Sequence, residues 1–269
     1  MTGKLVLRSI FKLPVSVREE LLFSSSWFCS PLQKALQRSL GGAWTVQVEF
    51  TEGSLCGCVL ELLCSEKYFW LGSKFDSVTQ EDLKKIVKTG DIIYDVGANI
   101  GYLSLLLSRL CGPGGRVLSF EPSPINFRRL QRNVELNRED NITPLKLAAS
   151  DSEATGFLSE EGSSSSIKSN GSTAGDGCSQ IQMIRLDDFV FRDKHLQPNL
   201  LKIDIEGHAG HCLGGMKEIL RTVRPSLVLE LHHEEEAGAV YSILAEHSYR
   251  VTRLDSENRF PRRVRAAPN

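Results

Sequence analysis

The first 75 residues combine a segment of helical character with a later segment in which apolar and polar positions alternate. From Val46 to Phe50 apolar residues alternate with polar ones, and Leu55 to Leu63 continues as an apolar run after a Gly-Ser turn. This period of two predicts a β-hairpin. Residues 1 to 45 are expected to be helical, with breaks at prolines and paired glycines. We therefore predict a small N-terminal extension over 1–75, made of a helical leader and a hairpin.

Beyond position 76, short apolar runs alternate with segments of helical period. The predicted strands are Asp91–Asp95, Val117–Phe120, Ile142–Ala148, Ile181–Leu186, Asn199–Asp204, Ser226–Leu231, Tyr249–Leu254 and Phe260–Val264. The predicted helices are 82–87, 100–111, 124–137, 210–220 and 234–247. Strands that alternate with helices indicate an α/β domain over 76–269, with a mostly parallel, Rossmann-like sheet and helices on both faces.

One segment interrupts this alternation. Residues 159–180 are rich in serine and glycine and contain almost no apolar residues. Such composition predicts a flexible loop. Long loops in compact domains are either functional or disordered, so a lid over the substrate and a disordered insertion both remain open.

Composition excludes several classes of protein. Apolar residues make up 41% of the chain, charged residues 24%, and the formal net charge is −1. That net charge gives no electrostatic footprint for nucleic acid, and only a local basic patch stays open as an alternative. No apolar run reaches about 18 residues, so no membrane span is expected. The seven cysteines are odd in number and scattered, which predicts reduced thiols. No pattern indicates an oligomeric state.

The first residues bear on localisation. Lys4, Arg8, Lys12 and Arg18 precede the first acidic residue, and apolar residues alternate with them. A basic, acid-poor leader is typical of a mitochondrial or plastid transit peptide. The alternative is a surface helix that leads into the domain. We favour that alternative and expect a cytoplasmic protein.

A glycine-rich turn links the first strand and first helix of the α/β part. Asp95 ends the strand, Gly97, Asn99 and Gly101 follow, and Glu121 ends the next strand. This order is that of a βαβ unit that holds a nucleoside-bearing cofactor. Glycine lets the backbone turn tightly and approach a ligand closely. A carboxylate at the position of Glu121 can accept hydrogen bonds from a ribose diol.

The spacing of the glycines discriminates between cofactors. A dinucleotide fold has G-x-G-x-x-G, but Asn99 and Tyr102 stand where its second and third glycines would be. A ligand with a ribose and no phosphates fits this turn better, which predicts S-adenosylmethionine. Asp95 can then meet the amino group of the cofactor, directly or through water, and the loop after the third strand reaches the adenine edge. The predicted cofactor-binding residues are Asp95, Gly97, Asn99, Gly101, Glu121, Pro122, Ser150 and Asp151.

Acidic residues recur at the predicted strand ends. They are Asp95, Glu121, Asp151, Asp204, Glu206 and Glu230. The carboxyl ends of parallel strands meet at one edge of a sheet, where ligands bind. Folding alone does not account for acids there, although Glu206 could be an acid at a helix N-terminus. Asp204 and Glu230 could hold Mg²⁺ beside a diol, but no third ligand is assured and we predict no metal site. His232 and His233 follow at the same rim as second-choice bases.

Three blocks of sequence resemble one family. Asp95-Val-Gly-Ala-Asn-Ile-Gly101, Glu121-Pro-Ser-Pro-Ile-Asn-Phe127 and Lys202-Ile-Asp-Ile-Glu-Gly207 are similar, in order, to the motifs of FkbM-type methyltransferases. The resemblance implies the class I methyltransferase fold, with a seven-stranded, mostly parallel sheet. It also implies methyl transfer from S-adenosylmethionine, usually to a hydroxyl oxygen of a sugar or natural product. The insertion 159–180 and the first 45 residues lie outside the shared pattern.

The resemblance implies roles for the acids after the fourth strand. That strand end faces the methyl group in this fold, so we expect Asp204 or Glu206 to be the general base and Glu206 or Glu230 to orient the acceptor. The expected partner is a small-molecule or glycan acceptor. Two alternatives remain open, a protein or RNA acceptor and a protein that binds the cofactor without chemistry.

Overall fold

The first part of the chain that the structure describes is a β-hairpin. The computed structural model describes residues 45–63, 72–161, 164–168, 178–256 and 260–269. β1 (Thr45–Glu49) and β2 (Val59–Leu63) pair antiparallel, and alternate residues of both strands are buried. The hairpin predicted from the period of two is thus confirmed, although its second strand begins at Val59 rather than Leu55. The predicted helical leader lies outside the described residues.

The described chain divides into two compact units. The first contains the hairpin and the described residues up to Ser77, together with 135–138, and the second contains 78–134 and the described residues from 139 onward. The remaining strands are β3 (Ile92–Val96), β4 (Arg116–Phe120), β5 (Ile142–Leu145), β6 (Ala148–Ala149), β7 (Ala154–Glu161), β8 (Ser164–Lys168), β9 (Cys178–Ile184), β10 (Leu200–Ile203), β11 (Ser226–Leu231), β12 (Tyr249–Arg253) and β13 (Arg262–Pro268).

Six α-helices accompany these strands in the described chain. They are α1 (Ser77–Ile86), α2 (Tyr102–Cys111), α3 (Pro124–Asn137), α4 (Ala209–Gly214), α5 (Lys217–Thr222) and α6 (Glu234–Glu246). A 3₁₀ turn at Gly72–Lys74 and a π-helical turn at Asp188–Arg192 complete the described helical segments. None of these helices combines the length and the apolar character that a membrane-spanning segment requires.

Seven strands form the main sheet, in the order β12-β13-β11-β10-β3-β4-β5. β5, β4, β3, β10 and β11 run parallel, and β13 pairs antiparallel with both β11 and β12. The central strands are continuous apolar runs because both of their faces are buried, as in β10, where all four residues are buried. The predicted seven-stranded, mostly parallel α/β sheet is confirmed.

The register brings the carboxyl ends of the central strands together. Asp95 lies opposite Lys202, and Val96 lies opposite both Ile203 and Phe120. The residues that follow β3, β4, β10 and β11 therefore reach one edge of the sheet, which is where ligands bind in open parallel sheets.

A second sheet replaces part of the predicted loop. Its order is β6-β9-β7-β8, and β7, β8 and β9 extend into the segment 159–180. The prediction of a loop is therefore wrong for the residues that lie in these strands. Positions 162–163 and 169–177 lie outside the described residues. The strands are joined by backbone pairing, as between Leu158 and Ser179. Backbone ladders need no apolar alternation, so a serine-rich strand gives no period-two signal.

The helix predicted over 210–220 is two helices, because the chain breaks between α4 and α5 at Gly215. A Cβ atom on Gly215 would lie 1.9 Å from the carbonyl oxygen of Ser150, so only glycine permits this approach. The start of α5 is capped from a distant part of the chain. The carboxylate of Asp187 accepts hydrogen bonds from the backbone nitrogens of Glu218 (3.0 Å) and Ile219 (2.9 Å).

An aromatic cluster holds the sheet beneath the ligand edge. The ring centroids of Tyr94 and Phe120 lie 5.3 Å apart, and Phe189 of the π-helical turn packs 5.4 Å from Phe120. Around them, the core takes side chains from β3, β4, β10 and β11 and from the three helices α4 to α6. Burial of each large apolar side chain contributes roughly 1.5–3 kcal/mol, which fixes the strand ends that carry the polar residues described next.

Candidate active site

The glycine-rich turn after β3 is shaped by contacts within the protein. Gly97 and Gly101 have φ angles of +81° and +89°. A Cβ atom on Gly97 would lie 1.9 Å from the backbone oxygen of Asp204, and one on Gly101 would lie 2.7 Å from Cδ1 of Leu130. Both glycines are therefore required where the turn meets β10 and α3. The reason expected from the sequence was close approach to a ligand, and these contacts supply a different one.

Glu121 closes the same turn from the end of β4. It is 6% exposed, and its two carboxylate oxygens accept hydrogen bonds from the backbone nitrogens of Asn99 (2.8 Å) and Ser123 (2.9 Å). Burial raises the pKa of this carboxyl to about 7, against the lowering effect of the two backbone donors. Pro122 follows and is half-buried. Glu121 thus binds the backbone of the turn while each oxygen retains a lone pair for a further donor.

Asp95 is enclosed. Its side chain has no exposed surface, and Oδ2 accepts a hydrogen bond of 2.6 Å from Oγ of Ser104. Oδ1 lies 3.3 Å from Nζ of Lys202. The predicted contact between Asp95 and a cofactor amino group stays a prediction, and what the structure describes is a carboxylate held by a hydroxyl and an ammonium.

Asp204, Glu206 and His232 form an array at the ends of β10 and β11. Nε2 of His232 lies 3.0 Å from Oδ1 of Asp204, and Nδ1 lies 3.3 Å from Oε2 of Glu206. Burial disfavours the charged imidazole, but the carboxylates of Asp204 and Glu206 outweigh it, and the pKa of His232 lies above its ordinary value. Asp204 is 32% and Glu206 40% exposed at the side chain, so both carboxylates remain accessible.

The backbone at Glu206 is unusual. Glu206 has a φ of +34°, and Gly207 follows with a φ of +83°. A non-glycine residue in this region costs of order 1 kcal/mol and is often found at functional sites. A Cβ atom on Gly207 would meet Nε2 of His233 at 2.8 Å. The strained turn thus carries Glu206 to His232 while it packs against the neighbouring histidine.

Glu230 belongs to the same edge. Its oxygens lie 3.2 and 3.4 Å from Nη2 of Arg263 on the neighbouring β13. One potential ligand atom from each of Asp204, Glu230 and His232 lies within 4.8 Å of the other two. Such donors suit a divalent cation, but Arg263 already contacts Glu230, and Lys202 lies 3.7 Å from Asp204.

Glu236 in the first turn of α6 fixes this array from behind. Its buried carboxylate accepts hydrogen bonds from the backbone nitrogens of Ala209 (2.9 Å) and His232 (2.7 Å). His233 caps the same helix, because its Nδ1 accepts from the nitrogen of Glu236 at 3.2 Å. The acid that satisfies the start of α4 is therefore Glu236, while Glu206 contacts His232.

Ser150 and Asp151 contact a pair of stacked histidines. Oγ of Ser150 lies 3.0 Å from Nε2 of His208, and Oδ2 of Asp151 lies 2.8 Å from Nδ1 of His211. The two imidazole rings stack with centroids 4.6 Å apart. Burial lowers the pKa of His208 to about 4, with a smaller contribution from His211, so its ring is neutral at pH 7. The predicted role of Ser150 and Asp151 at an adenine edge stays a prediction.

The predicted residues thus fall into three groups. Gly97, Asn99, Gly101 and Glu121 build one turn, while Asp204, Glu206 and Glu230 converge around His232; Ser150 and Asp151 form the third group with the histidines. Sequence reasoning missed Lys202, Arg263 and Glu236 as site residues. A signal existed for Lys202, because it is the one charged residue in the apolar run Leu200–Ile203.

The part of the chain that resembles known proteins contains the predicted site residues. A family model described as the methyltransferase FkbM domain matches residues 95–251, a range that begins within β3 and extends into β12. Hexuronic acid methyltransferase AglP of Haloferax volcanii is 30% identical over 172 residues, covering 63% of this chain and 69% of that protein. The 31-O-demethyl-FK506 methyltransferase FkbM of Streptomyces tacrolimicus is 25% identical over 195 residues, covering 61% and 75%.

Among solved structures, methyltransferase FkbM from Methylobacillus flagellatus KT superposes with a TM-score of 0.49 at 20% identity. The match covers 65% of this chain and 43% of that one, so this chain corresponds to less than half of the crystallised protein. The family model spans more than half of the present chain and includes both the glycine-rich turn after β3 and the acidic residues that follow β4, β10 and the middle of β11. The chain belongs to the FkbM family of S-adenosylmethionine-dependent methyltransferases.

Proposed function

We propose that this protein methylates a hydroxyl oxygen of a sugar or another small natural product. The observation that carries the proposal is the array of Asp204, His232 and Glu206 at the end of β10, with both carboxylates accessible. The relatives named above support the acceptor class, because one is named for a hexuronic acid and another for a demethylated FK506.

The turn after β3 fits S-adenosylmethionine by the chemistry of its groups. Glu121 keeps acceptor capacity on both oxygens after binding Asn99 and Ser123, which suits the two hydroxyls of a ribose. Hydrogen bonds from such hydroxyls favour the ionised carboxylate and offset part of its burial. When bound, the cofactor supplies an activated methyl group on a sulfonium.

Asp204 is proposed as the group that takes the proton of the acceptor. Burial opposes its ionisation, but Lys202 and His232 outweigh that effect and keep the pKa of Asp204 below its ordinary value. It is therefore an anion at neutral pH and can accept a hydrogen bond from a hydroxyl. As that oxygen gains a methyl group its proton becomes strongly acidic, so a carboxylate of low pKa suffices as the base. His232 holds Asp204 in place, and Glu206 and Glu230 orient the acceptor.

The test is transfer of a labelled methyl group from S-adenosylmethionine to sugars, hydroxylated natural products, protein and RNA in parallel. We expect label in the sugar or natural-product fraction, and loss of at least about 100-fold in turnover for Asp204→Asn because general-base catalysis contributes 10²–10⁴-fold. Affinity for S-adenosylhomocysteine, measured by calorimetry, should persist in that variant. The matched control is Asp193→Asn, an exposed carboxylate paired with Arg192. Label in protein or RNA alone would refute the acceptor class, and full turnover by Asp204→Asn would remove it as the base.

A further inference from the structure

Lys202 is a buried lysine whose ammonium group faces both halves of the site. It is 5% exposed. Its Nζ donates a hydrogen bond of 3.0 Å to the carbonyl oxygen of Gly97 and lies 3.3 Å from Oδ1 of Asp95. On the other side, Nζ lies 3.7 Å from Oδ2 of Asp204. A single cation thus contacts the proposed base and the turn Gly97–Gly101, which we call the cofactor turn after its proposed role.

A buried ammonium group destabilises the fold unless its contacts offset the loss of hydration. Burial of a cation carries an effective penalty of several kcal/mol, and Leu200, two positions earlier on the same face of β10, is a buried apolar residue. Burial disfavours the charged lysine, but Asp95 and Asp204 outweigh it and raise the pKa of Lys202 above its ordinary value. Lys202 is therefore charged at pH 7.

Lys202 is also the centre of a polar chain that crosses four neighbouring strands. Oγ of Ser119 donates to Oγ of Ser104 at 2.9 Å, and Ser104 donates to Asp95. Beyond Lys202 the chain continues through Asp204 to His232. If Lys202 served only to neutralise the charge of Asp95, the chain of polar contacts would end at the lysine. The chain instead continues to Asp204, so the lysine links the cofactor turn to the proton acceptor.

The contacts of Asp204 divide between its two oxygens. Oδ2 faces Lys202 and Oδ1 faces His232, so the carboxylate plane is held from both sides. Lys202 also holds the backbone of Gly97, a residue with a left-handed conformation, because the carbonyl oxygen of Gly97 accepts a hydrogen bond from Nζ. The ammonium therefore sets the position of a backbone group in one half of the site and of a side chain in the other.

We propose that Lys202 is a positioning residue that joins the cofactor turn to Asp204, so that cofactor affinity and the proton-accepting state of Asp204 depend on the same side chain, the first through its hydrogen bond to Gly97 and the second through its charge. This inference rests on the proposed function of Asp204 as the base. Two substitutions separate the two contacts. Lys202→Gln keeps a donor for the carbonyl of Gly97 but removes the charge beside Asp204, whereas Lys202→Met removes both.

Two measurements read out these contacts without any acceptor substrate. Calorimetry with S-adenosylhomocysteine is expected to give wild-type affinity within about threefold for Lys202→Gln and a loss of about tenfold or more for Lys202→Met, since methionine leaves the carbonyl of Gly97 without its donor. A ¹³C NMR titration of the Asp204 carboxyl carbon should show its pKa rising by about 1 or more in both variants, because an opposite charge within 4–6 Å lowers it by 1–3. His232 and Arg263 also face Asp204 and are unchanged in both.

Loss of the buried cation also threatens folding, because Asp95 would remain as an uncompensated buried anion. The double variant Asp95→Asn/Lys202→Gln, compared with Asp95→Asn alone, removes that charge and keeps the experiment on folded protein. Lys84→Met, a surface lysine paired with Glu81, is the control for loss of a lysine. Variants with lowered melting temperature but wild-type affinity and an unchanged Asp204 titration would reduce Lys202 to a structural role and overturn the inference. Absence of binding by the wild-type protein would instead refute the cofactor assignment.

Discussion

At the scale of residues, the carboxylates of the site differ in ionisation because their surroundings differ. Burial raises the pKa of Glu121 to about 7, and the two backbone donors only partly oppose it. Burial acts on Asp204 as well, but there two cationic neighbours outweigh it. A group that binds a ligand can tolerate partial protonation in the empty site, whereas a base must be ionised before the acceptor arrives.

Glu121 makes stability depend on pH in a defined window. Its pKa is raised from 4.5 to about 7, so between these values the folded state holds a proton that the unfolded state has released. The contribution of Glu121 to the free energy of unfolding therefore falls as pH rises through this window, by up to about 3 kcal/mol. We expect the free energy of unfolding of the wild type, minus that of Glu121→Gln, to fall accordingly from pH 4.5 to pH 7.5. Urea unfolding at both pH values measures this difference.

Glu49→Gln, an exposed carboxylate on β1, controls for the loss of one charge. A wild-type stability that rises relative to Glu121→Gln over the same interval would show that Glu121 is stabilised as an anion, contrary to this account. Calorimetry on the same samples separates the two roles of Glu121, because the variant should bind S-adenosylhomocysteine more weakly at pH 7.5 whatever its stability.

The sequence indicates the acids of the site but not the residues that organise them. Asp204, Glu206 and Glu230 could be predicted because ends of parallel strands share one edge of a sheet. The role of Lys202 depends on a contact with Gly97, 105 positions away, and that of Arg263 on the register of β13 beside β11. Local patterns carry no information on such pairings. The close approach of Gly97 to Asp204 could not be predicted for the same reason, and the ligand contact of Gly97 stays a prediction.

At the scale of elements, burial decides what can be predicted. β11 and α3 have the predicted bounds, because a doubly buried strand leaves a continuous apolar run and an amphipathic helix leaves a periodic pattern. The segment 159–180 leaves none, because its strands are held by backbone pairing. The break between α4 and α5 had a signal in Gly214-Gly215, but its cause, the passage of Ser150, is a long-range contact.

The cap of α5 gives a prediction at this scale. Asp187 satisfies two backbone nitrogens at the start of α5 from a distant part of the chain. Asp187→Ala should lower the free energy of unfolding by about 2 kcal/mol, because loss of an N-cap costs 0.5–2 kcal/mol and leaves a buried donor without an acceptor. Chemical denaturation measures this loss. Asp188→Ala is the neighbour control, and its ion pairs with Arg185 and Arg192 are at the surface, so it should cost less than about 1 kcal/mol. Equal losses for the two variants would contradict the role of the cap.

At the scale of the whole molecule, charge is balanced close to where it arises. The chain has a formal net charge of −1, and within the site Lys202 and Arg263 lie against Asp204 and Glu230. A divalent cation would have to compete with these two fixed cations for the same oxygens.

We therefore expect methyl transfer to need no divalent metal. EDTA should leave the initial rate unchanged within about twofold, which is a change of less than about 0.5 kcal/mol in the barrier. Electron paramagnetic resonance with Mn²⁺ tests the same point without an acceptor, and Arg263→Gln is the informative variant because it removes one competing cation. Loss of activity with EDTA that Mg²⁺ restores, or tight Mn²⁺ binding by the wild type, would show that Asp204, Glu230 and His232 hold a metal.

The position of β13 in the main sheet has a consequence for biosynthesis. β13 lies between β11 and β12 although it follows both in the sequence. While the chain is being made, β11 therefore emerges with one edge unpaired, and it remains so until residues 262–268 leave the ribosome, an interval on the order of seconds. An open apolar edge strand pairs readily with other chains. The nascent protein thus exposes an unpaired apolar strand after its ligand edge has been synthesised and before β13 pairs with β11.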